Sequence, residues 1–271
     1  MNKGGDYMNV GVSSACFYPM DLLESIKLLA ENDIHTMEIF TNTLSELSNS
    51  FAKDVKKIFD PENIQITSIH PFTSGYEHIL LFSDYYKRFE DTIEFYKKYF
   101  NFAAHLGAKI FVFHGDSRFV NMGGIADEEY FLRYYKLAQT ARTMGVTIAQ
   151  ENVNMFRSQS PEFLKSMREY LGDNVDFVLD IKQAVRSGND PYEICKAMGS
   201  RIIHLHINDN DSHSDCLLPG KGTMDYSKFF SLMCQQGFSG RAVIEVYRKN
   251  FESIEDIVNS CNYLNDTFGD L

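Results

Sequence analysis

The chain has 271 residues, 44% of them apolar and 14% aromatic, which is enough for one large core. Its formal net charge of −11 and pI near 5.2 repel phosphate backbones, so nucleic acid is a poor partner. No run of about 18 apolar residues occurs, so no helical membrane span is expected. The opening stretch, MNKGGDYMNV, carries a lysine but no apolar h-region. It reads as no secretory signal, with residues 1–8 as a flexible extension.

Strand-like and helix-like stretches then alternate. The first strand candidate is NVGVSSACF (9–17), followed by the amphipathic helix pattern DLLESIKLLAEN (21–32) and the strand HTMEIF (35–40). QITSIHP (65–71) is the third strand. A long helical pattern over 83–107 leads to AKIFVFHG (108–115), and another over 127–145 leads to VTIAQENV (146–153). The helix SPEFLKSMREYLG (160–172) has Ser160–Pro161 at its front and Gly172 behind, the expected punctuation. VDFVLD (175–180), RIIHLHIN (201–208) and RAVIEVY (241–247) complete eight strands. Eight alternating units without a composition break predict an α/β fold, a single (β/α)8 TIM barrel over 1–271. No GxGxxG turn follows the first strand, which argues against a dinucleotide-binding sheet. Five cysteines, an odd number without a CxxC pair, fit reduced thiols and a cytoplasmic location.

Four chemistry-bearing residues stand at the ends of the last four apolar runs: Glu151, Asp180, His206 and Glu245. Successive strand residues point to opposite faces. If Glu151 points into the barrel, so do Ala149 and Thr147; Asp180 takes Val178 with it, and His206 takes His204. Three carboxylates and one imidazole suit one divalent ion: Mn²⁺ first, with Mg²⁺, Co²⁺ or Zn²⁺ as alternatives. The other reading of each residue alone is a solvated strand end or the partner of a nearby lysine.

The segments IAQENV, FVLDIKQA, HLHIND, LPGKGTMDY and AVIEVY resemble the xylose isomerase-like TIM barrels. Within them the chain is most similar to the sugar phosphate isomerase/epimerase family, which includes ketose 3-epimerases. The resemblance spans essentially the whole chain and is strongest from residue 108 onward. It implies that Glu151, Asp180, His206 and Glu245 are metal ligands. It further implies that Glu151 and Glu245 are the catalytic, proton-transferring pair on the two faces of a bound sugar. The expected activity is that of a metal-dependent isomerase or epimerase of a small sugar, ketose or sugar acid, working through a metal-stabilised enediolate. An inosose-dehydratase-like lyase is a near neighbour of this chemistry.

The same superfamily contains apurinic-site endonucleases with three metals, and His70 and His114 resemble two of their ligands. Gln183 stands where that cluster needs a histidine, and its D-x-H pair after the seventh strand is absent from DSHSDCLLPGKG. His70 and His114 are therefore expected to contact substrate or to support the residues that do, with a packed histidine hydrogen-bonded in the barrel mouth as the other reading. Gln183 also replaces a histidine that ketose epimerases often hold; it can bond a hydroxyl but carries no proton. Arg157 stands near the place of a substrate-facing glutamate and points to an anionic substrate group, or pairs with a nearby acid. Glu38 points inward and either faces the sugar or neutralises Lys182, itself otherwise a surface residue. Lys221, in the PGKG turn, is placed to reach an anion at the mouth. The aromatic stripe Tyr85, Tyr86, Phe89, Tyr96, Tyr99 and Phe100 has helical spacing and reads as core, with a homo-oligomer interface as the alternative. The expected partner is a small polyhydroxylated substrate, with no nucleic acid and no membrane.

Overall fold

The computed structural model describes residues 10–117 and 125–269. The extension expected over residues 1–8 lies outside the described residues. Eight strands pair in chain order and close on themselves: β1 (Gly11–Ser13), β2 (Thr36–Phe40), β3 (Gln65–His70), β4 (Ile110–Phe113), β5 (Thr147–Glu151), β6 (Asp176–Asp180), β7 (Ile202–Ile207) and β8 (Arg241–Ile244). All neighbours are parallel, and the seam joins Gly11 to Val243 and Val12 to Ile244. Helices surround the barrel: α1 (Leu22–Ala30), α2 (Asn49–Glu62), α3 (Glu77–Leu80), α4 (Tyr86–Leu106), α5 (Asp127–Thr143), α6 (Pro161–Leu171), α7 (Ile181–Arg186), α8 (Pro191–Met198), α9 (Tyr226–Gln235) and α10 (Ile254–Gly269). The predicted (β/α)8 barrel is the observed one.

Two apolar regions hold it. The larger lies between sheet and helices. The smaller fills the barrel itself with Ile110, Val112, Ala149 and Val178, against which Ile203 packs. Ala149 and Val178 therefore share the interior with Glu151 and Asp180, as side-chain alternation requires. The stripe on α4 is core as expected: Tyr96, Tyr99 and Phe100 are buried and meet Phe111 on β4 at centroid distances of 5.4–5.7 Å. Tyr85 and Tyr86 remain exposed. The first strand is much shorter than its apolar run. Ser13 Oγ accepts from Ala15 N, and the chain turns at once into a 3₁₀ segment, Ser14–Phe17. A serine that offers the backbone a local partner competes with the ladder and ends the strand.

Candidate active site

The strand ends bring the four expected donors to one place at the C-terminal mouth. Glu151 closes β5, Asp180 closes β6, His206 lies one residue before the end of β7, and Glu245 directly follows β8. Their donor atoms all lie within 4.8 Å of one another. His206 Nδ1 is the centre, 3.1 Å from Glu151 Oε1, 3.3 Å from Glu245 Oε2 and 3.8 Å from Asp180 Oδ2. Side-chain staples fix the strand ends. Asn152 donates to Asp180 O and accepts from Asp180 N, tying β5 to β6. Asp180 Oδ1 caps α7 through Gln183 N and accepts from Asn208, which leaves Oδ2 facing the cluster.

Burial opposes the charge on each group, and the neighbours decide the outcome. His114 and His206 outweigh burial at Glu151 and hold its carboxyl well below the usual range. Lys182 and His206 do the same for Glu245. Burial wins at Asp180, whose carboxyl is raised despite Lys182. Burial is likewise outweighed at His206, where Glu38, Glu245 and Glu151 raise its affinity for a proton.

A second tier supports the first from below. His206 Nε2 lies 3.1 Å from Glu38 Oε2, so the imidazole spans Glu38 on one side and the cluster on the other. Glu38 is fully buried and accepts from Ser13 Oγ and Ser68 Oγ at 2.9 and 2.7 Å. His204, one layer deeper as expected, meets the same carboxylate at 3.1 Å and reaches Arg241 O with Nδ1. A carboxylate behind a ligating imidazole fixes ring orientation and tautomer.

Above the donors is a cavity of about 320 Å³. His70, His114, Gln183, Glu151, Lys182 and Glu245 supply its polar lining, and Tyr18, Phe40, Val246 and Tyr247 its apolar walls. His70 Nε2 and His114 Nε2 are 3.0 Å apart, and His114 Nε2 is 2.8 Å from Glu151 Oε2. Burial and His114 push His70 down to about 4, whereas Glu151 overcomes burial and raises His114. Gln183 Oε1 accepts from Asn154 N, which orients the amide at the cavity wall.

Three residues expected at the substrate sit elsewhere. Arg157 is clamped by Asp116 at 2.7 Å, by Asp127 at 2.9 Å and by the carbonyl of Ile125, and it does not line the cavity. Its pairing with nearby acids is the outcome. Lys221 is exposed and also lies off the cavity lining. The PGKG turn is tied down by Asp209, which accepts from Gly220 N and Met224 N. Glu38 is also off the cavity lining, with its carboxylate against His204 and His206, while Lys182 meets Asp180 and Glu245.

Two residues stand out only in three dimensions. Lys182, 3% exposed, puts Nζ 2.7 Å from Glu245 Oε2 and 3.1 Å from Asp180 Oδ2. The available signal was a lysine two residues beyond a strand-closing aspartate, in the first turn of a helix, where the dipole disfavours a cation. Glu77, fully buried, accepts from the backbone N–H groups of His114 and Gly115 and from Tyr96 Oη, holding the end of β4.

The donor chemistry fits a divalent ion. Two like unit charges about 4 Å apart repel by about 4 kcal/mol at an effective dielectric of about 20, and three carboxylates multiply that cost. Asp180 Oδ2 and Glu151 Oε2 are buried and accept no well-angled hydrogen bond, and Lys182 Nζ at 3.1 Å and His114 Nε2 at 2.8 Å stand against them, so both oxygens already draw basic groups.

Eight parallel strands closed around an apolar plug, with acids and imidazoles gathered at their C-terminal ends, define a (β/α)8 barrel of the kind that carries its chemistry at the strand tips. The chain belongs to the xylose isomerase-like TIM barrel family, whose model matches residues 26–267. It is 27% identical, over a 274-residue alignment covering 96% of this chain and 89% of the other, to an uncharacterized protein of Methanocaldococcus jannaschii. It is 23% identical over 239 residues to an inosose dehydratase of Clostridium botulinum, covering 74% and 76% of the two chains. Among solved structures, a D-tagatose 3-epimerase-like protein superposes with a TM-score of 0.77 at 22% identity, over 97% of each chain.

Proposed function

We propose that this chain is a divalent-metal-dependent isomerase or epimerase of a small polyhydroxylated ketone, sugar or sugar acid. The observation that carries the reading is the convergence of Glu151, Asp180, His206 and Glu245 within 4.8 Å of one another, with Glu151 and Glu245 also lining the cavity. These four would hold the ion. When bound, it supplies positive charge to adjacent substrate oxygens as negative charge develops on them. Mn²⁺ suits the mixed oxygen and nitrogen donors, with Mg²⁺, Co²⁺ or Zn²⁺ as alternatives.

The chain's own residues supply the rest. Glu151 and Glu245 flank His206 from β5 and β8, so one carboxylate can take the proton beside the carbonyl and the other can return it. That relay gives epimerisation; return by the same group to the neighbouring carbon gives isomerisation. His70, His114 and Gln183 bind hydroxyls, while Tyr18, Phe40 and Tyr247 cover the C–H faces of the substrate and exclude water. A lyase reading shares the first proton abstraction and is favoured by the likeness to an inosose dehydratase. The four buried cysteines and exposed Cys234, all unpaired, support a reducing compartment such as the cytoplasm.

The test is solvent-proton exchange in deuterated buffer with Mn²⁺, run over a panel of ketoses, inososes and sugar acids and read by NMR. Exchange beside the carbonyl of one class is expected. Glu151→Gln and Glu245→Gln should each slow it by about 10²–10⁴-fold. Undiminished exchange in both variants would exclude the two-carboxylate mechanism. Elimination without exchange back into substrate would select the lyase.

A further inference from the structure

Lys182 stands inside the four-donor cluster without being one of its donors. Its ammonium is buried and sits against two of the four donors, at 2.7 Å from Glu245 Oε2 and 3.1 Å from Asp180 Oδ2. The same two oxygens also face His206 Nδ1, at 3.3 and 3.8 Å. An ammonium and a divalent ion cannot both sit against the same two oxygens without strong repulsion in a site this buried. We propose that Lys182 is a built-in counter-cation, which competes with the divalent ion for Asp180 and Glu245 and so lowers the affinity for metal. The inference rests on the four-donor reading above.

Two further observations support it. The donors divide unequally, since Lys182 takes the Asp180–Glu245 side and leaves Glu151 Oε1 to His206. The ammonium also has a second resting place, because Nζ lies 5.3 Å from the ring centroid of Tyr247, which lines the same cavity. A short move toward that ring clears the carboxylates and keeps the charge partnered. Arg186 already holds the Tyr247 hydroxyl and so fixes the ring.

The experiment is calorimetric titration of Mn²⁺ into chelator-stripped full-length protein, for wild type, Lys182→Met and Lys182→Gln. The glutamine amide still donates to both carboxylates, so it preserves the fold if methionine does not. Both neutral variants should bind Mn²⁺ at least about tenfold more tightly than wild type, and Mn²⁺ should raise their melting temperature more than that of wild type. Equal or weaker binding by the neutral variants, with wild type binding one ion, would overturn the competition and leave the four-donor site standing. No binding by any of the three would overturn both.

Discussion

His206 shows how a single side chain acquires its role. Its Nδ1 faces three carboxylates, and its Nε2 is committed to Glu38. Removing the partner of a ligating imidazole typically weakens metal binding by about 10–100-fold. Glu38→Gln is therefore expected to raise the Mn²⁺ dissociation constant by that factor in calorimetric titration, while leaving the ion count unchanged. Arg157 makes the opposite case. Its guanidinium is spent on Asp116 and Asp127, and Asp116 is largely buried. Arg157→Ala should cost about 1–3 kcal/mol in denaturant unfolding, because it strands a buried carboxylate, and should not change substrate affinity. Glu151, Asp180, His206 and Glu245 were legible in the sequence because each stands at or within one residue of the end of a strand whose direction the apolar run reveals. The partners of Arg157, Glu38 and Lys182 were not. Their contacts span 41, 168 and 63 residues, and strand periodicity says nothing about which tips meet.

At the scale of elements, the end of β4 is the most constrained. Gly115 has φ +90°, and a Cβ there would fall 2.0 Å from Tyr130 Oη. That hydroxyl is fixed by Gln150 Oε1 at 2.6 Å, so it cannot retreat cheaply. Gly115→Ala is expected to destabilise by about 2–4 kcal/mol, read from the urea midpoint. Glu77, at the head of α3, secures the same strand end. Burial outweighs its His114, Gly115 and Tyr96 contacts and pushes the carboxyl up to about 7. Between roughly pH 4.5 and 7 the folded chain keeps a proton there that the unfolded chain has released. This group's contribution therefore falls as pH rises through that window, by at most about 3 kcal/mol. Glu77→Gln should flatten that part of the stability–pH curve. Strand positions were readable from apolar runs, but their lengths were not. β1 stops after Ser13, and β4 and β8 stop two or three residues before their runs do; side chains take over the backbone N–H groups from His114 after β4 and from Val246 after β8.

The whole molecule sets the terms on which an ion is held. The acidic surface, net −11, raises the local concentration of cations around the mouth. Metal analysis of the purified protein should give one divalent ion per chain. Three would move the reading toward the nuclease, for which the adjacent His70, His114 and Glu151 group supplies further donors. At 100 times its dissociation constant a single ion should add about 2.7 kcal/mol to stability, seen as a chelator-reversible rise in melting temperature. Eight units of alternating pattern made this architecture the most legible property of the chain, because a parallel strand order needs a covering helix at every crossover.

The barrel also divides its labour along the chain. All four donors stand at the ends of β5 to β8, while Glu38 and Phe40 come from β2 and Tyr18 from the turn that follows β1. During synthesis the ribosome therefore lays down the supporting carboxylate and part of the cavity wall first. The set of four is complete only with the eighth strand, whose ladder partner, β1, was the first to be made. A nascent chain stalled before Glu245 would carry the scaffold and three of the four donors, with the set still open on the β8 side.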